Sequence, residues 1–423
     1  MDLAQSLAPF RHRAFARLWF GALVSNVGTW MESIAVGVLV VETTGQAGWA
    51  GLAAAAAFVP NAVLSPVGGA LADRLHRRRL LLFTVAGQLL MASVLTVLAA
   101  IEVTPPGLVV GVVLIAGCMQ AIGFPSYMAI FPDLVPREDL VGAIALGSAQ
   151  WNLGRVIGPL AAGVAIAAGG YAWAFGINAA SFLAVIVAIA PLRLPPPPPP
   201  TQTSIFRSIR EGLGFVRRDP GLRVVVGYMT LNTLLAAPFI ALVPAMAINV
   251  FDSGAGGTSA LVTAQGVGAV GMALSLGVLA NRFGTRRVML GVLWLLPPAL
   301  VAYGAAPTLP IAVVTIFVVG YLYLGALSSF TSIGQLRSPP AARGRVMSIL
   351  FVILGAVYPL GSILQGAIAD RVGLRTTTIA AAAIMATGLV MARLVRPHFA
   401  DDLDAPTAEG AILHEGASDD RRT

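Results

Sequence analysis

The stretch that decides the fold is Gly69 to Arg78, GALADRLHRR, which returns in altered form at Gly277 to Arg286 as GVLANRFGTR. Both copies sit between long apolar segments. Position 277 against 69 gives an offset of 208 residues in a chain of 423, so one half duplicates the other. The copies are unequal. The first has Asp73 where the second has Asn281, and the second has Gly284 where the first has His76. Any latch that uses the acidic residue of this loop therefore belongs to the first half.

The segments around the repeat are those of a membrane protein. The chain is 57% apolar and 11% charged, against roughly 25% charged for a soluble domain. A helix needs about 20 apolar residues to cross the hydrocarbon core. Twelve segments qualify, near 17–40, 50–72, 80–101, 107–130, 142–168, 171–191, 223–247, 258–280, 287–305, 309–332, 346–368 and 376–394. The expected fold is an all-α membrane protein of twelve transmembrane helices in two pseudo-symmetric six-helix bundles, residues 1–191 and 223–396. Duplicated bundles of this kind rock about a site between them. The 46 glycines suit close helix packing in lipid. The first apolar segment is too long for a signal sequence and reads as a retained span. Cys118 is the single cysteine, so no intrachain disulfide forms.

The net charge of +8 is topological rather than a nucleic-acid footprint. All 27 basic residues are arginine. They cluster at 11–17, 74–79, 137, 193–223, 282–287, 337–345 and 393–396, in alternate loops on the side of the N-terminus. Loops near Glu42, Glu102, Gly169, Asp252 and Pro307 carry none. Positive charge marks the cytoplasmic side, which puts both termini in the cytoplasm of a multi-pass protein of the bacterial cytoplasmic membrane. Arg371 and Arg375 are exceptions, in the last outer loop.

Residues 192–222 read as a cytoplasmic linker. It opens with six prolines, Pro195 to Pro200, a stiff polyproline II spacer. Ile205, Ile209, Leu213 and Val216 then recur at helical spacing among Arg207, Arg210, Arg217 and Arg218, which predicts an amphipathic helix on the inner leaflet. Residues 397–423 turn polar and acidic, the composition of a disordered tail.

Twelve spans, a duplication and a G-x-x-x-D-R-x-x-R-R loop after the second span resemble the major facilitator superfamily over residues 11–396. The most specific matches are Gly69, Asp73, Arg74, Arg77 and Arg78, with the echo Gly277, Asn281, Arg282 and Arg286. The resemblance implies that this loop is a gating latch between the halves. His76 departs from the family's glycine, which puts the tightness of the first turn in question. In the fifth span Gly154, Gly158, Pro159 and Gly163 resemble the G-x-x-x-G-P-x-x-G-G signature of antiporters, with Ala162 replacing one glycine. Proline there kinks the helix, and the family motif marks exporters. The stretches at Arg17, Ser25–Glu32, Phe131–Pro136 and Arg343–Ser348 are similar to the branch of enterobactin exporters and macrolide efflux proteins, the transmembrane secretion effectors. The fourth span lacks the intramembrane arginine of classical drug antiporters, so proton coupling by that residue does not carry over.

Of the 19 acidic residues only Glu32 lies well inside a span. A charge at the bilayer centre costs roughly 3 kcal/mol on insertion scales, so Glu32 is a candidate proton carrier. Arg155 is the one arginine deep in a span. Glu32 is fifteen residues past Arg17 and Arg155 eighteen past Arg137, which at 1.5 Å per residue sets both roughly 20–27 Å from the inner edge. The expectation is a Glu32–Arg155 pair that protonation loosens, against a static pair joining two helices. Asn26, Trp30, Asn61, Gln120, Asn152, Asn178, Asn232, Gln265 and Tyr358 are candidates to line a substrate cavity or to bond helix to helix. A cavity so short of fixed charge suits a large neutral or amphiphilic molecule.

The function expected is a secondary active exporter of hydrophobic or amphiphilic small molecules (drug, siderophore or secondary metabolite), proton-coupled and working by alternating access as a monomer in lipid. A facilitator or importer of a small metabolite shares the fold, and a transport-dead receptor is the non-transporter alternative. An enzyme is disfavoured, because no carboxylates cluster for a metal and the four histidines are scattered. There is no phosphate-binding loop for ATP. No cofactor, metal or nucleic acid is expected as a partner; the partners are a small-molecule substrate, protons and membrane lipid.

Overall fold

The computed structural model describes residues 7–195, 205–338, 343–395 and 403. The proline run from 196 onward, the side chains of Ile205, Arg207 and Ile209, and nearly all of the acidic tail lie outside the described residues. The described chain is helical throughout. Helix α1 is Arg13–Thr44, α2 Ala47–Arg74, α3 Arg77–Ala100, α4 Pro106–Ala129 and α5 Leu140–Ile189. Then come α6 Ile205–Arg218, α7 Pro220–Leu235, α8 Phe239–Asn249, α9 Gly254–Phe283, α10 Thr285–Gly304, α11 Leu309–Arg337, α12 Arg343–Val372 and α13 Leu374–Val395. Helices satisfy their own backbone groups, the condition for crossing lipid. Eleven segments are long and apolar enough to span a membrane, with α7 and α8 counted as one.

Helix α5 is not one rod. It leaves helical geometry at Gly169 and Gly170, the latter at φ 70°, which favours glycine. The break falls between the fifth and sixth expected spans. Helix α1 lies between the two segments of α5. A Cβ at Gly21 would sit 2.9 Å from the Ala184 carbonyl, and one at Gly154 would sit 3.0 Å from Asn26. Small residues thus allow the close crossings that lipid-embedded helices need.

The span made by α7 and α8 is also interrupted, at Ala236–Pro238. Proline cannot continue the ladder there, and the carbonyls of Leu234 and Leu235 accept from Gln365 Nε2 of α12, both at 3.0 Å. At the start of α7, Asp219 accepts from the Leu222 backbone N–H at 2.7 Å. The same carboxylate receives Nε and Nη2 of Arg337, at the end of α11, at 2.9 and 3.0 Å. One buried carboxylate therefore fixes the entry to the C-terminal helices.

Helix α6 packs on α12 through part of its length, while Leu213 of the expected apolar face stays exposed. Val216 is buried against Leu222, Val346 and Ile349, and Gly212 lies against the Arg345 carbonyl. The exceptional arginines are partly explained as well. Arg375 donates to the Gly304 carbonyl at 3.1 Å and stands over the Phe251 ring at 5.5 Å, which serves the C-terminus of α10.

Asp219→Ala leaves the Arg337 guanidinium without its bidentate acceptor in a buried site, at a cost of roughly 3–5 kcal/mol. Thermal unfolding in detergent should fall several degrees further for this variant than for Asp133→Asn, which cuts the more exposed pair with Arg77.

Candidate functional site

The N-terminal and C-terminal helices meet chiefly where α2 packs on α12, α5 on α9 and α1 on α8, and α8 also reaches α2 and α9 reaches α1. Each seam is made of small residues. Gly51 faces the Ser362 backbone, Gly48 and Gly366 touch, Gly37 faces Pro244 and Gly163 faces Ser259. Going down α2, the contacts run from Ala47 to Ala62, which meets Gly355. Twelve further residues of α2, about 18 Å of helix, continue to the arginine-rich end. There, Gly69 and Gly277 have no neighbour within 4 Å of a built Cβ, and Asp73, Arg74, Asn281 and Arg282 are exposed. The seams close one end of the molecule and leave the other apart.

The closed end carries a cap that crosses between the two sets of helices. Asp370, near the end of α12, accepts from the backbone N–H of Ala47 at 2.6 Å and of Gly48 at 2.9 Å. These are the first two residues of α2, whose N–H groups have no partner inside their own helix. A carboxylate there also meets the positive end of the helix dipole. Asn249 adds a bond to the Gly45 carbonyl at 3.0 Å, and Tyr171 donates to Glu42.

The expected Glu32–Arg155 pair does not form. Asn178 Nδ2 donates to Glu32 Oε2 at 2.6 Å, and the Arg155 guanidinium lies over the Trp30 ring, 5.8 Å from its centroid. Depth is similar, but direction is not. Trp30 and Glu32 are two residues apart, roughly 200° around the helix, so a group packed on Trp30 is turned from Glu32. Glu32 faces the second segment of α5, away from α9 and α12. Arg155 is within electrostatic reach of Tyr323 and Tyr358, from α11 and α12.

The other candidates divide. Trp30, half-buried, meets Trp151 edge-on at 5.7 Å, and Tyr358 meets Phe58 edge-on at 5.4 Å. Both belong to the region around Arg155. Asn26 packs on Gly154, Asn61 leans on its own helix, and Gln120 is half-buried. Asn152 donates to the Ser148 carbonyl of its own helix at 2.8 Å. Asn232 and Gln265 are buried between helices. Both amide atoms of Asn232 and the Gln265 amide nitrogen lack a protein partner. In the fifth span, Gly154 and Gly158 receive α1, buried Pro159 follows, and Gly163 faces α9.

The repeated loop settles the question of His76. The first copy turns through Leu75 and His76 at φ −102° and −64°, which any residue adopts, whereas the second turns at Gly284 with φ 84°. Arg77 donates to the Ala129 carbonyl at 3.1 Å and to Asp133 at 3.0 Å, tying α3 to the end of α4. Arg282 stands over its neighbour Phe283 at 5.3 Å, and Arg286 and Arg78 are half-buried.

This helical plan is found among solved transporters. A bacterial homologue of the lysosomal transporter Spinster, inward-facing and occupied, superposes with a TM-score of 0.74 at 16% identity, over 94% of this chain and 99% of that one. A likeness at that identity speaks for the fold. The sequence relatives are efflux proteins. The multidrug efflux pump Tap of Mycobacterium tuberculosis is 30% identical over 390 residues, 89% of this chain and 92% of the relative. Macrolide efflux protein A of Streptococcus pyogenes is 26% identical over 374 residues, covering 85% and 90%. The enterobactin exporter EntS of Citrobacter koseri is 28% identical over 395 residues, covering 91% of each. Residues 4–415 match the family model for transmembrane secretion effectors. The chain belongs to that family of the major facilitator superfamily. It is a multi-pass protein of the bacterial cell membrane, and its relatives are transporters rather than enzymes.

For a secretion effector the residue that sequence reasoning missed is Asp370, and its signal was in view. Gly366 to Arg375, GAIADRVGLR, repeats the decisive stretch GALADRLHRR at the opposite end of the molecule.

Asp370→Ala should cost about 1 kcal/mol, the worth of a helix cap, and loosen the closed end. With Cys118 replaced by serine and spin labels at Glu102 and Thr308, both exposed beside this end, distance distributions should broaden toward longer separations. An unchanged distribution would show that the cap holds nothing closed.

Proposed function

We propose that this secretion effector is a secondary active exporter of hydrophobic or amphiphilic small molecules, driven by protons and working by alternating access. The carrying observation is the asymmetry of the seams: helices joined at the Asp370 end, apart at the arginine-rich end, with Arg155, Trp30 and Tyr358 between. Efflux relatives named for macrolides, multiple drugs and enterobactin support a large, amphiphilic cargo.

Topology follows from length. The span segment Arg137–Ile189 has 53 residues, about 80 Å of helix against a core of about 30 Å. It crosses twice, turning at Gly169–Gly170, which makes twelve spans in two bundles of six. Arginine-rich ends lie on the cytoplasmic side, so the open end faces the cytoplasm together with both termini. Both walls of the cleft come from one chain, which suits a monomer.

Glu32 carries the coupling proton in this reading. Among the described residues it is the carboxylate farthest from either end of its span, and its described partner is the neutral amide of Asn178. No ion pair need break when it takes up a proton.

Everted membrane vesicles with an acidic lumen should accumulate a fluorescent amphiphile. Glu32→Gln should cut gradient-driven accumulation about tenfold or more, the scale of a lost proton-transfer group, while sparing exchange of bound substrate without a gradient. Full coupled transport by the variant would remove Glu32 from the mechanism, and no accumulation of any amphiphile by the parent protein would sink the exporter reading.

A further inference from the structure

An unpaired cation lies where helices from both halves of the chain approach one another. The Arg155 side chain makes no ion pair and no hydrogen bond among the described residues. It rests on Trp30, which meets Trp151 and whose own indole N–H is buried without an acceptor. Tyr323 and Tyr358 approach from the C-terminal helices, and Phe58 stands against the Tyr358 ring. The guanidinium, the Trp30 indole and the two tyrosine hydroxyls can each donate a hydrogen bond, and the side chains that carry the last three are aromatic. The carboxylate deepest in α1, Glu32, is bonded to Asn178 on the far side of that helix.

A charge in a low-dielectric site is normally neutralised by a neighbour. Here the protein supplies none, while the forked guanidinium matches a carboxylate or similar anion through two parallel bonds. We propose that Arg155 receives the acidic group of the exported amphiphile, whose ring system lies among Trp30, Trp151, Phe58, Tyr323 and Tyr358. The inference rests on the exporter reading and narrows its cargo to aromatic anions. A cationic amphiphile would be repelled, and a neutral one would leave Arg155 uncompensated. Because the shell draws on both sets of helices, the same bound anion would sense their relative position.

The test is binding by purified protein in nanodiscs, read by calorimetry, with three probes of one shape: naphthoate, naphthylmethanol and naphthylmethylammonium. Wild-type protein should bind naphthoate about tenfold or more tighter than the alcohol, and the ammonium weakest. Arg155→Gln should erase the preference, and Arg155→Lys should keep part of it, which separates charge from misfolding. Equal binding of all three probes, no binding of naphthoate, or a preference that survives Arg155→Gln overturns the assignment. Binding needs no turnover, so a charge preference without vesicle transport defeats the exporter reading alone. Transport of amphiphiles without a charge preference defeats this inference alone.

Discussion

Everything else in the molecule depends on the seam between α2 and α12. Two helices from opposite ends of the chain approach until backbone touches backbone, because Gly48, Gly51 and Gly366 leave no side chain in the way. In lipid there is no hydrophobic drive to bring helices together, so contact area and polar bonds must suffice. The Asp370 carboxylate supplies the polar part, satisfying two N–H groups that a helix start cannot satisfy for itself. The seams at α5–α9 and α1–α8 follow the same rule with Gly163 and Gly37. A side chain at Gly51 or Gly48 would part the helices and, with them, the floor beneath Arg155.

Much of this plan was legible in the sequence. Apolar length and the arginine map located the helical segments, and the break in α5 falls where two spans had been separated on composition alone. The glycines of the fifth span lie where their spacing implied, against neighbouring helices. What the sequence withheld was direction around each helix. Counting residues from the nearest arginine gives height, so Glu32 and Arg155 came out level. Both helices are apolar on nearly every face, so periodicity did not say which way either side chain points.

The same limitation explains the buried amides. Polarity inside a span picks out Asn232 and Gln265 but does not say that both are buried. Burial depends on neighbours from α9, α11 and α12, and no local pattern encodes them. The linker helix is similar: its amphipathic face was readable, but lipid and the flank of α12 are equally apolar partners. His76 shows the opposite case, in which a departure from a motif proved harmless because the backbone takes another route round the turn.

One consequence concerns the interrupted span formed by α7 and α8. Its loose carbonyls at Leu234 and Leu235 are held by Gln365, and five residues further along the same helix Asp370 holds the start of α2. Five residues are about 7.5 Å, less than a turn and a half. Helix α12 is therefore a single lever with two hooks, one on each side of the cleft. A tilt that frees one hook strains the other, so the bend in the seventh span and the seal at the second are not independent degrees of freedom.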